Sequence, residues 1–230
     1  MDTNYMIYMA IVGAGSMIGG YVSNTLKSKF AKYQQVGIRS GLTGKEVAEE
    51  MLAYYNVHGV RIVQGKGMLT DHYNPKTKTV SLSPDVYNGR NVSAAAVASH
   101  EVGHAIQHDT NYPMLQMRSQ LVPFVNMASK ALSVLMMVAF MMLDQFPQLM
   151  LLTIIAFATT SLFSLVTLPV EFDASRRALN WLDETGVAQG AEYEGSKDAL
   201  KWAAMTYVAA ALSSILMLLY LIYQYAGRRR

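Results

Sequence analysis

The stretch that decides the fold is His100-Glu101-Val102-Gly103-His104, in which two histidines stand four positions apart with a glutamate after the first. On an α-helix, residues four apart lie on one face, about 6 Å apart along the axis, so both imidazole rings can reach one metal ion. Glu101 is rotated by roughly 100° from its neighbour His100 and can reach a metal-bound water instead of the metal. The pattern predicts a helix that carries two zinc ligands, His100 and His104, and a general base, Glu101.

The residues around this motif also favour a helix. Asn91-Val92-Ser93 supplies a helix cap, and the alanine-rich stretch 94–99 consists of good helix formers. Gly103 costs a helix about 1 kcal/mol relative to alanine, so we expect a second backbone to approach the helix there. The turn and proline residues at 109–113 should end it. The alternative, an amphipathic helix that carries two histidines by accident, does not account for this agreement.

Four apolar segments divide the chain, and each has about the 20 residues that cross a bilayer core. The predicted fold class is a mainly α membrane protein with four transmembrane helices and a small α+β, zincin-like catalytic domain. A short turn at 144–148 should make the second and third segments a hairpin. The segments are 5–26, 121–143, 149–168 and 203–225. The predicted organisation is an N-terminal transmembrane anchor at 1–26, a catalytic region at 27–120, a transmembrane hairpin at 121–168, a polar helical segment at 169–202 and a C-terminal transmembrane helix with a basic tail at 203–230.

The polar region after the first segment contains a second helix and two short strands. Thr43 and Glu46 form a T-x-x-E capping box for a helix through Tyr55. Residues 60–64 and 79–83 alternate as strands, with Asn74-Pro75 as the turn region. Such strands either form a purely structural hairpin or offer an edge that pairs with an extended substrate backbone. The sequence leaves both readings open.

Several stretches are recognisable in combination. They are H-E-V-G-H-A-I-Q-H at 100–108, G-L-T-G at 41–44, L-T-D-H-Y at 69–73, K-T-K-T-V at 76–80 and L-P-V-E-F-D-A-S-R-R-A at 168–178. Together they resemble the YugP-like membrane zinc metallopeptidases, and the resemblance extends over nearly the whole chain. It implies an enzyme embedded in the lipid bilayer that uses Zn²⁺ to hydrolyse polypeptides, membrane proteins among them.

A catalytic zinc needs a third protein ligand. His108 is a poor candidate, because a continuous helix places it about 6 Å beyond His104, on the side away from His100. Glu171 is the better candidate, because it is expected to open a polar helix directly after the third apolar segment. The alternative interpretation of Glu171 is an acidic residue that stabilises a helix N-terminus.

The resemblance supports Glu171 as well. In the related gluzincin membrane proteases, which include HtpX and the CAAX-processing proteases, the third ligand is the glutamate of an E-[FY]-x-A-D pattern. This chain reads E-F-D-A-S at 171–175, so Ser175 stands where the pattern has aspartate. Ser175 can still form a hydrogen bond. Asp173, which points about 200° away from Glu171 on a helix, is the second candidate for the ligand.

The stretch between the predicted strands offers an oxyanion donor. His72 and Tyr73 both carry groups that can donate a hydrogen bond to the developing oxyanion as water attacks a peptide carbonyl. We favour His72 slightly over Tyr73.

The predicted function is therefore zinc-dependent endopeptidase activity, through a zinc-activated water with Glu101 as general base. The alternative is a catalytically silent zinc-binding membrane chaperone or scaffold, which has no need of Glu101 and would favour a fourth protein ligand. The chain has no cysteine, which excludes thiolate zinc ligands and disulfides. No nucleic-acid partner is expected.

Basic residues predict a multi-pass protein of the cell membrane with its catalytic region in the cytoplasm, by the positive-inside rule. The C-terminal Arg228, Arg229 and Arg230 argue the other way, because four spans place that tail outside. The larger group is Lys27, Lys29, Lys32, Arg39, Arg118, Arg176, Arg177, Lys197 and Lys201.

Overall fold

The computed structural model describes residues 3–142 and 147–227. Most of the predicted turn at 144–148 and the arginines at 228–230 lie outside the described residues. The helices are α1 (Thr3–Gln34), α2 (Gly44–Tyr54), α3 (Pro84–Tyr87), α4 (Val92–Asp109), α5 (Pro113–Met142), α6 (Pro147–Glu184) and α7 (Ala191–Gly227). The strands are β1 (Arg61–Gln64), β2 (His72–Asn74) and β3 (Thr79–Leu82).

The chain is mainly helical with one small sheet, as predicted. Among the described residues, three helical stretches are long and apolar enough to cross a membrane: Tyr5–Gln34, Gln148–Glu184 and Ala191–Gly227. The predicted segment 121–143 coincides with α5 as far as Met142, and α5 is not one of the three. This helix begins earlier than predicted, at Pro113, because proline is well suited to the first position of a helix.

Helix α6 corrects one prediction about Glu171. No separate polar helix opens there, because α6 continues without interruption through Pro169 to Glu184. Val170, Ala174 and Ala178 recur every four positions along α6 and are fully buried. Packing of this buried stripe stabilises the helix at Pro169, where one backbone hydrogen bond is lost because proline has no N–H. Glu171 therefore lies inside a long helix, and stabilisation of a helix N-terminus does not explain it.

The chain folds into two compact units. The first contains Met1–Val22, Met117–Leu168 and Thr206–Arg230. The second contains Ser23–Gln116 and Pro169–Met205. In the first unit, a Cβ built on Gly15 would lie 3.1 Å from the hydroxyl oxygen of Ser213, so small residues allow α1 and α7 to pack closely, as membrane helices do.

The core of the second unit forms around α2 and α4. Helix α2 begins where the sequence predicted, because the Thr43 hydroxyl accepts from the Glu46 N–H (3.2 Å) and the Glu46 carboxylate accepts from the Thr43 N–H (2.7 Å). Helix α4 also has its predicted cap, since the Asn91 side chain accepts from the Ala94 N–H. Buried side chains of α2, α4, α6 and the sheet pack together, among them Met51, Leu82, Val102, Ile106 and Trp181.

The sheet has the strand order β1-β3-β2. The predicted strands 60–64 and 79–83 correspond to β1 and β3, but they pair in parallel and form no hairpin. The hairpin joins β3 to β2, a strand that the sequence analysis missed, with Asn74 opposite Thr79. The Asn74 side chain accepts from the Lys76 and Thr77 N–H groups and so closes the turn. Within this sheet, β1 and β2 each have one unpaired edge.

Candidate metal centre

Three predicted ligands lie together in the second unit. His100 and His104 come from α4, and Glu171 comes from α6. The Glu171 Oε2 atom lies 3.3 Å from Nε2 of His100 and 3.6 Å from Nε2 of His104. His104 and Glu171 are buried, His100 is partly exposed, and one ligand atom from each residue lies within 4.8 Å of the other two.

This donor set fits zinc. Zinc–nitrogen and zinc–oxygen bonds of about 2.0–2.2 Å in a tetrahedron place neighbouring donor atoms roughly 3.3 Å apart. The distances from the Glu171 oxygen to the two imidazole nitrogens are close to that separation. Two imidazoles and one carboxylate also form the incomplete ligand set of a catalytic zinc, which keeps one position open.

Gly103 brings the two ligand-bearing helices into contact. A Cβ atom built on Gly103 would lie 2.7 Å from the carbonyl oxygen of Ala174 and 3.0 Å from its Cα. The second backbone expected at Gly103 is therefore that of α6, three residues beyond Glu171. A side chain at this position would separate the histidines from the glutamate.

The electrostatic environment of the cluster favours a cation. Burial acts to lower the pKa of His104. The hydrogen bond and charge of Glu171, followed by the charge of Glu101, act in the opposite direction, and the net result is a raised pKa. Glu101 is itself buried. Two carboxylates thus direct negative potential at the imidazole nitrogens, which in the absence of a metal favours protonation of His104.

Comparison with known proteins points to zinc as well. Residues 6–226 match the family described as "Putative neutral zinc metallopeptidase". The chain is 41% identical over 214 residues to "Putative membrane protease YugP" of Bacillus subtilis (strain 168). The aligned region covers 93% of this chain and 94% of that protein. The chain belongs to the neutral zinc metallopeptidase family. No solved structure gives a significant match to it.

In this member of the family, both histidines also have a partner at the ring nitrogen that faces away from Glu171. The Ser175 hydroxyl lies 3.1 Å from Nδ1 of His100. The Gln107 side-chain oxygen lies 3.0 Å from Nδ1 of His104. Ser175 thus makes the hydrogen bond that the sequence allowed for. These partners leave the Nε2 atoms directed at Glu171.

Asp173, the second candidate for the third ligand, is not part of the cluster. Its carboxylate accepts from the Gln107 amide at 3.0 Å and from Nε of Arg177 at 2.6 Å, and it also pairs with Arg176. Its contacts lie on the far side of Gln107 from His104. Asp173 therefore supports the site from outside it.

His108 lies outside the cluster too. Its Nδ1 atom lies 2.8 Å from the Tyr73 hydroxyl, which places β2 beside α4. Tyr73 and His108 contribute to a polar cavity of about 210 Å³ that also involves His58, Lys78 and Asp109. The rejection of His108 as a ligand stays a prediction.

His72, the predicted oxyanion donor, is not brought to the cluster by any contact described. Its ring is exposed, and its Nδ1 atom lies 2.8 Å from the Thr70 carbonyl oxygen. Successive side chains of a strand point to opposite faces, and the next residue, Tyr73, faces α4. These contacts give His72 no support as the oxyanion donor, and the role stays a prediction.

Gln107 is the residue that the sequence analysis missed. It is fully buried, and it lies three positions after His104 in the same helix. That spacing places both side chains on one face. A glutamine one turn beyond the second motif histidine was the available signal.

Proposed function

We propose that this protein is an integral-membrane zinc metalloendopeptidase of the gluzincin type. The observation that carries the proposal is the convergence of His100, His104 and Glu171 beside the buried Glu101. Family membership supports a zinc peptidase, and the donor set supports His100, His104 and Glu171 as the ligands.

The mechanism assigns separate tasks to the buried acids. Zinc, when bound, supplies a Lewis acid that makes a water acidic near neutral pH and polarises a carbonyl group. Glu101 accepts the proton of the attacking water and transfers it to the leaving amine. Glu171 provides a carboxylate ligand. The two histidines beside it stabilise its ionised form in a site from which solvent is largely excluded. Ser175 and Gln107 orient the rings of His100 and His104.

A silent zinc-binding chaperone or scaffold is the alternative. Such a protein needs no base, so Glu101 would be a buried acid without a task, which is energetically unfavourable. A structural zinc site also tends to have four protein ligands, whereas only three ligand residues come together here within the described part of the chain. Both observations favour the enzyme.

The sheet supports an extended polypeptide as the substrate. Strand β2 pairs with β3 on one side only, and the hydrogen bond of Tyr73 to His108 places β2 beside the helix that carries the metal ligands. An edge strand next to a catalytic site can bind a peptide backbone through main-chain hydrogen bonds. We therefore propose recognition that depends little on side-chain identity.

The course of the chain supports four membrane crossings. The second unit combines Ser23–Gln116 with Pro169–Met205, so a chain that crosses the membrane between those two segments must also cross back. Helix α6 is long and apolar enough to make one crossing in that interval. A return requires a second crossing, and α5 is the helix available for it. The proposed metal ligands come from both segments of the second unit. They can meet only if both segments lie on the same side of the membrane.

The experiment that tests this function uses the full chain purified in detergent or nanodiscs. An unfolded protein such as casein is incubated with the protein, with a chelator, and with the chelator followed by added zinc. We expect cleavage that the chelator abolishes and zinc restores. Equal cleavage by a Glu101→Gln variant would identify a contaminating protease and remove the basis of the proposal.

A further inference from the structure

We propose that a groove beside the end of α1 binds an anionic phospholipid of the surrounding bilayer. This α1 groove lies between the last turns of α1 and the β1–β2 loop, residues 65–71. The lipid places an acyl chain against Met68 and Leu69 and its phosphate beside Lys27 and Lys66. The inference requires α1 to lie in a membrane but does not depend on the metal centre, so it stands even if the proposed peptidase activity fails.

The α1 groove is a largely apolar cavity. Its volume is about 420 Å³, within the roughly 300–1,000 Å³ that ligand pockets occupy. Helix α1 contributes Phe30 and Ala31 to the wall, and α3 contributes Val86. The loop contributes Met68 and Leu69, whose exposed fractions are 72% and 47%. Two adjacent large apolar side chains that line an open apolar cavity mark an interaction surface.

Hydrogen bonds hold the β1–β2 loop in this position. The Thr70 hydroxyl donates to the Lys66 carbonyl oxygen at 2.9 Å, and the Asp71 carboxylate accepts from the N–H and the hydroxyl of Ser83. Leu69 has a φ of +55°, a left-handed conformation that a bulky residue rarely adopts. Such strain persists only where the surrounding structure maintains it. The loop therefore has a defined shape that keeps two apolar side chains at the surface.

Helix α1 places the groove at the boundary of the membrane. Its apolar segment ends at residue 26, and the next residue, Lys27, lines the groove. Gly20 and Gly13 precede Lys27 by 7 and 14 residues and so continue the same face of the helix. Both glycines are exposed, and a Cβ on either would meet nothing within 4 Å. The groove thus lies at the level of the headgroups, below a face of α1 that is open to acyl chains.

The charges at the groove favour an anionic headgroup. Lys27 lines the groove, Lys66 precedes Met68 by two residues in the loop, and both lysines are exposed. Neither takes part in the ion pairs that lysines form among the described residues. Asp85 also lines the groove and opposes them, which leaves an excess of one positive charge. Near a membrane surface, each lysine strengthens the attraction to anionic lipid about fivefold.

The first test measures lipid binding to the full chain in detergent by native mass spectrometry. Phosphatidylglycerol is the anionic probe, and phosphatidylcholine is the neutral one. We expect the parent to retain phosphatidylglycerol preferentially. Lys27→Gln and Lys66→Gln should each weaken phosphatidylglycerol binding about fivefold and leave phosphatidylcholine binding unchanged. Asp85→Asn should strengthen phosphatidylglycerol binding.

Lys76→Gln is the matched control for the lysine variants. Lys76 is an exposed lysine of the β2–β3 turn and does not line the groove, so its variant should bind both lipids as the parent does. Equal binding of the two lipids by the parent would overturn the inference. Parental phosphatidylglycerol binding in both Lys27→Gln and Lys66→Gln would overturn it as well.

The second test locates the loop relative to the bilayer. The chain has no cysteine, so Met68→Cys carries a single fluorophore in a nanodisc that holds one copy of the full chain and phosphatidylglycerol. A nitroxide on the lipid acyl chain quenches a fluorophore within the bilayer, and iodide quenches one in water. We expect nitroxide quenching at Met68→Cys, as at Met17→Cys, whose parent residue is 77% exposed within the apolar segment. Thr77→Cys, in the exposed β2–β3 turn, should be quenched by iodide instead.

Three results of the second test would overturn the inference. Iodide quenching at Met68→Cys equal to that at Thr77→Cys would place the loop in water. Protection of Met68→Cys from both quenchers would mean that the loop closes the groove by itself. An added transmembrane peptide of leucine and alanine tests the remaining occupant. If it abolishes nitroxide quenching at Met68→Cys but not at Met17→Cys, the groove accepts an apolar polypeptide and the assignment to lipid is wrong.

Discussion

Gly103 of α4 and Ala174 of α6 approach each other so closely that no side chain fits between them. A Cβ on Gly103 would lie 2.7 Å from the Ala174 carbonyl oxygen. Gly103 lies three residues after His100 and directly before His104 on one helix, and Ala174 lies three residues after Glu171 on the other. The spacing of the proposed zinc ligands therefore depends on a residue that ligates nothing.

Gly103→Ala should destabilise the protein and weaken zinc binding together. The new methyl group improves helix propensity by about 1 kcal/mol, but overpacking of a tight interior costs about 1–3 kcal/mol. The obstacle is backbone, which cannot rotate away, so the unfavourable contribution should prevail. Chemical denaturation and zinc competition measure both effects.

Gly19→Ala provides the control for that substitution. Gly19 also lies inside a helix, but a Cβ there would meet nothing within 4 Å. This variant should be neutral or slightly more stable, because only the propensity changes. Equal behaviour of the Gly19 and Gly103 variants would contradict the importance of the close contact.

Glu101→Gln should keep zinc bound while abolishing hydrolysis. The amide is similar in size to the carboxylate but cannot accept the proton of the attacking water. Loss of one negative charge near His104 should also lower the pKa of that ring in the metal-free protein, since Glu101 is one of the groups that raise it. Metal analysis and turnover of a protein substrate give the result. A zinc-loaded variant with parental turnover would remove Glu101 from the mechanism.

Glu171→Ala should weaken zinc binding far more than Asp173→Ala or His108→Ala. Glu171 supplies the only carboxylate oxygen within 3.6 Å of both Nε2 atoms among the ion pairs described. Asp173 acts through Gln107, so its loss should stay within the roughly 10–100-fold typical of an outer partner. His108→Ala should leave zinc affinity near that of the parent. Dialysis against a weak chelator, followed by metal analysis, ranks the three.

Retained zinc in Glu171→Ala, with loss in Asp173→Ala, would transfer the ligand role to Asp173. This outcome would require α6 to rotate, because Asp173 now faces Gln107 and two arginines. The comparison thus tests the helix orientation as well as the ligand.

Local signals in the sequence predicted the helices well. The capping box at Thr43 and the cap at Asn91 fix the starts of α2 and α4 through hydrogen bonds within three residues. The sequence also favoured Glu171 over His108, because helix geometry alone restricts where His108 can reach. These inferences need only short-range information.

The misses depend on contacts between distant parts of the chain. The end of the third apolar segment suggested that a new helix opens at Glu171, but the buried stripe of Val170 and Ala174 stabilises α6 across Pro169. The parallel pairing of β1 with β3 requires a crossover that short alternating stretches do not indicate. Gln107 acquires its role only because α6 brings Val170 and Asp173 to it. Nothing in the local pattern specifies those partners.

The topology prediction compares three positions in a chain that has no cysteine of its own. Thr77 lies in the exposed β2–β3 turn, Ala191 is the exposed first residue of α7, and Gly227 is its exposed last residue. A cysteine introduced singly at each can be tested with an impermeant thiol reagent on intact cells and again after lysis.

Four crossings require Thr77 and Ala191 to share one side of the membrane and Gly227 to lie on the other. The second unit contains both Thr77 and Ala191, and α7, which is long and apolar enough to cross a membrane, separates Ala191 from Gly227. If basic residues set the orientation, only Gly227→Cys is labelled before lysis. Labelling of Thr77→Cys and Ala191→Cys alone would keep four crossings but place the metal centre outside the cell. A difference between Thr77 and Ala191 would mean that α5 does not cross, and the cluster of His100 with Glu171 could not form.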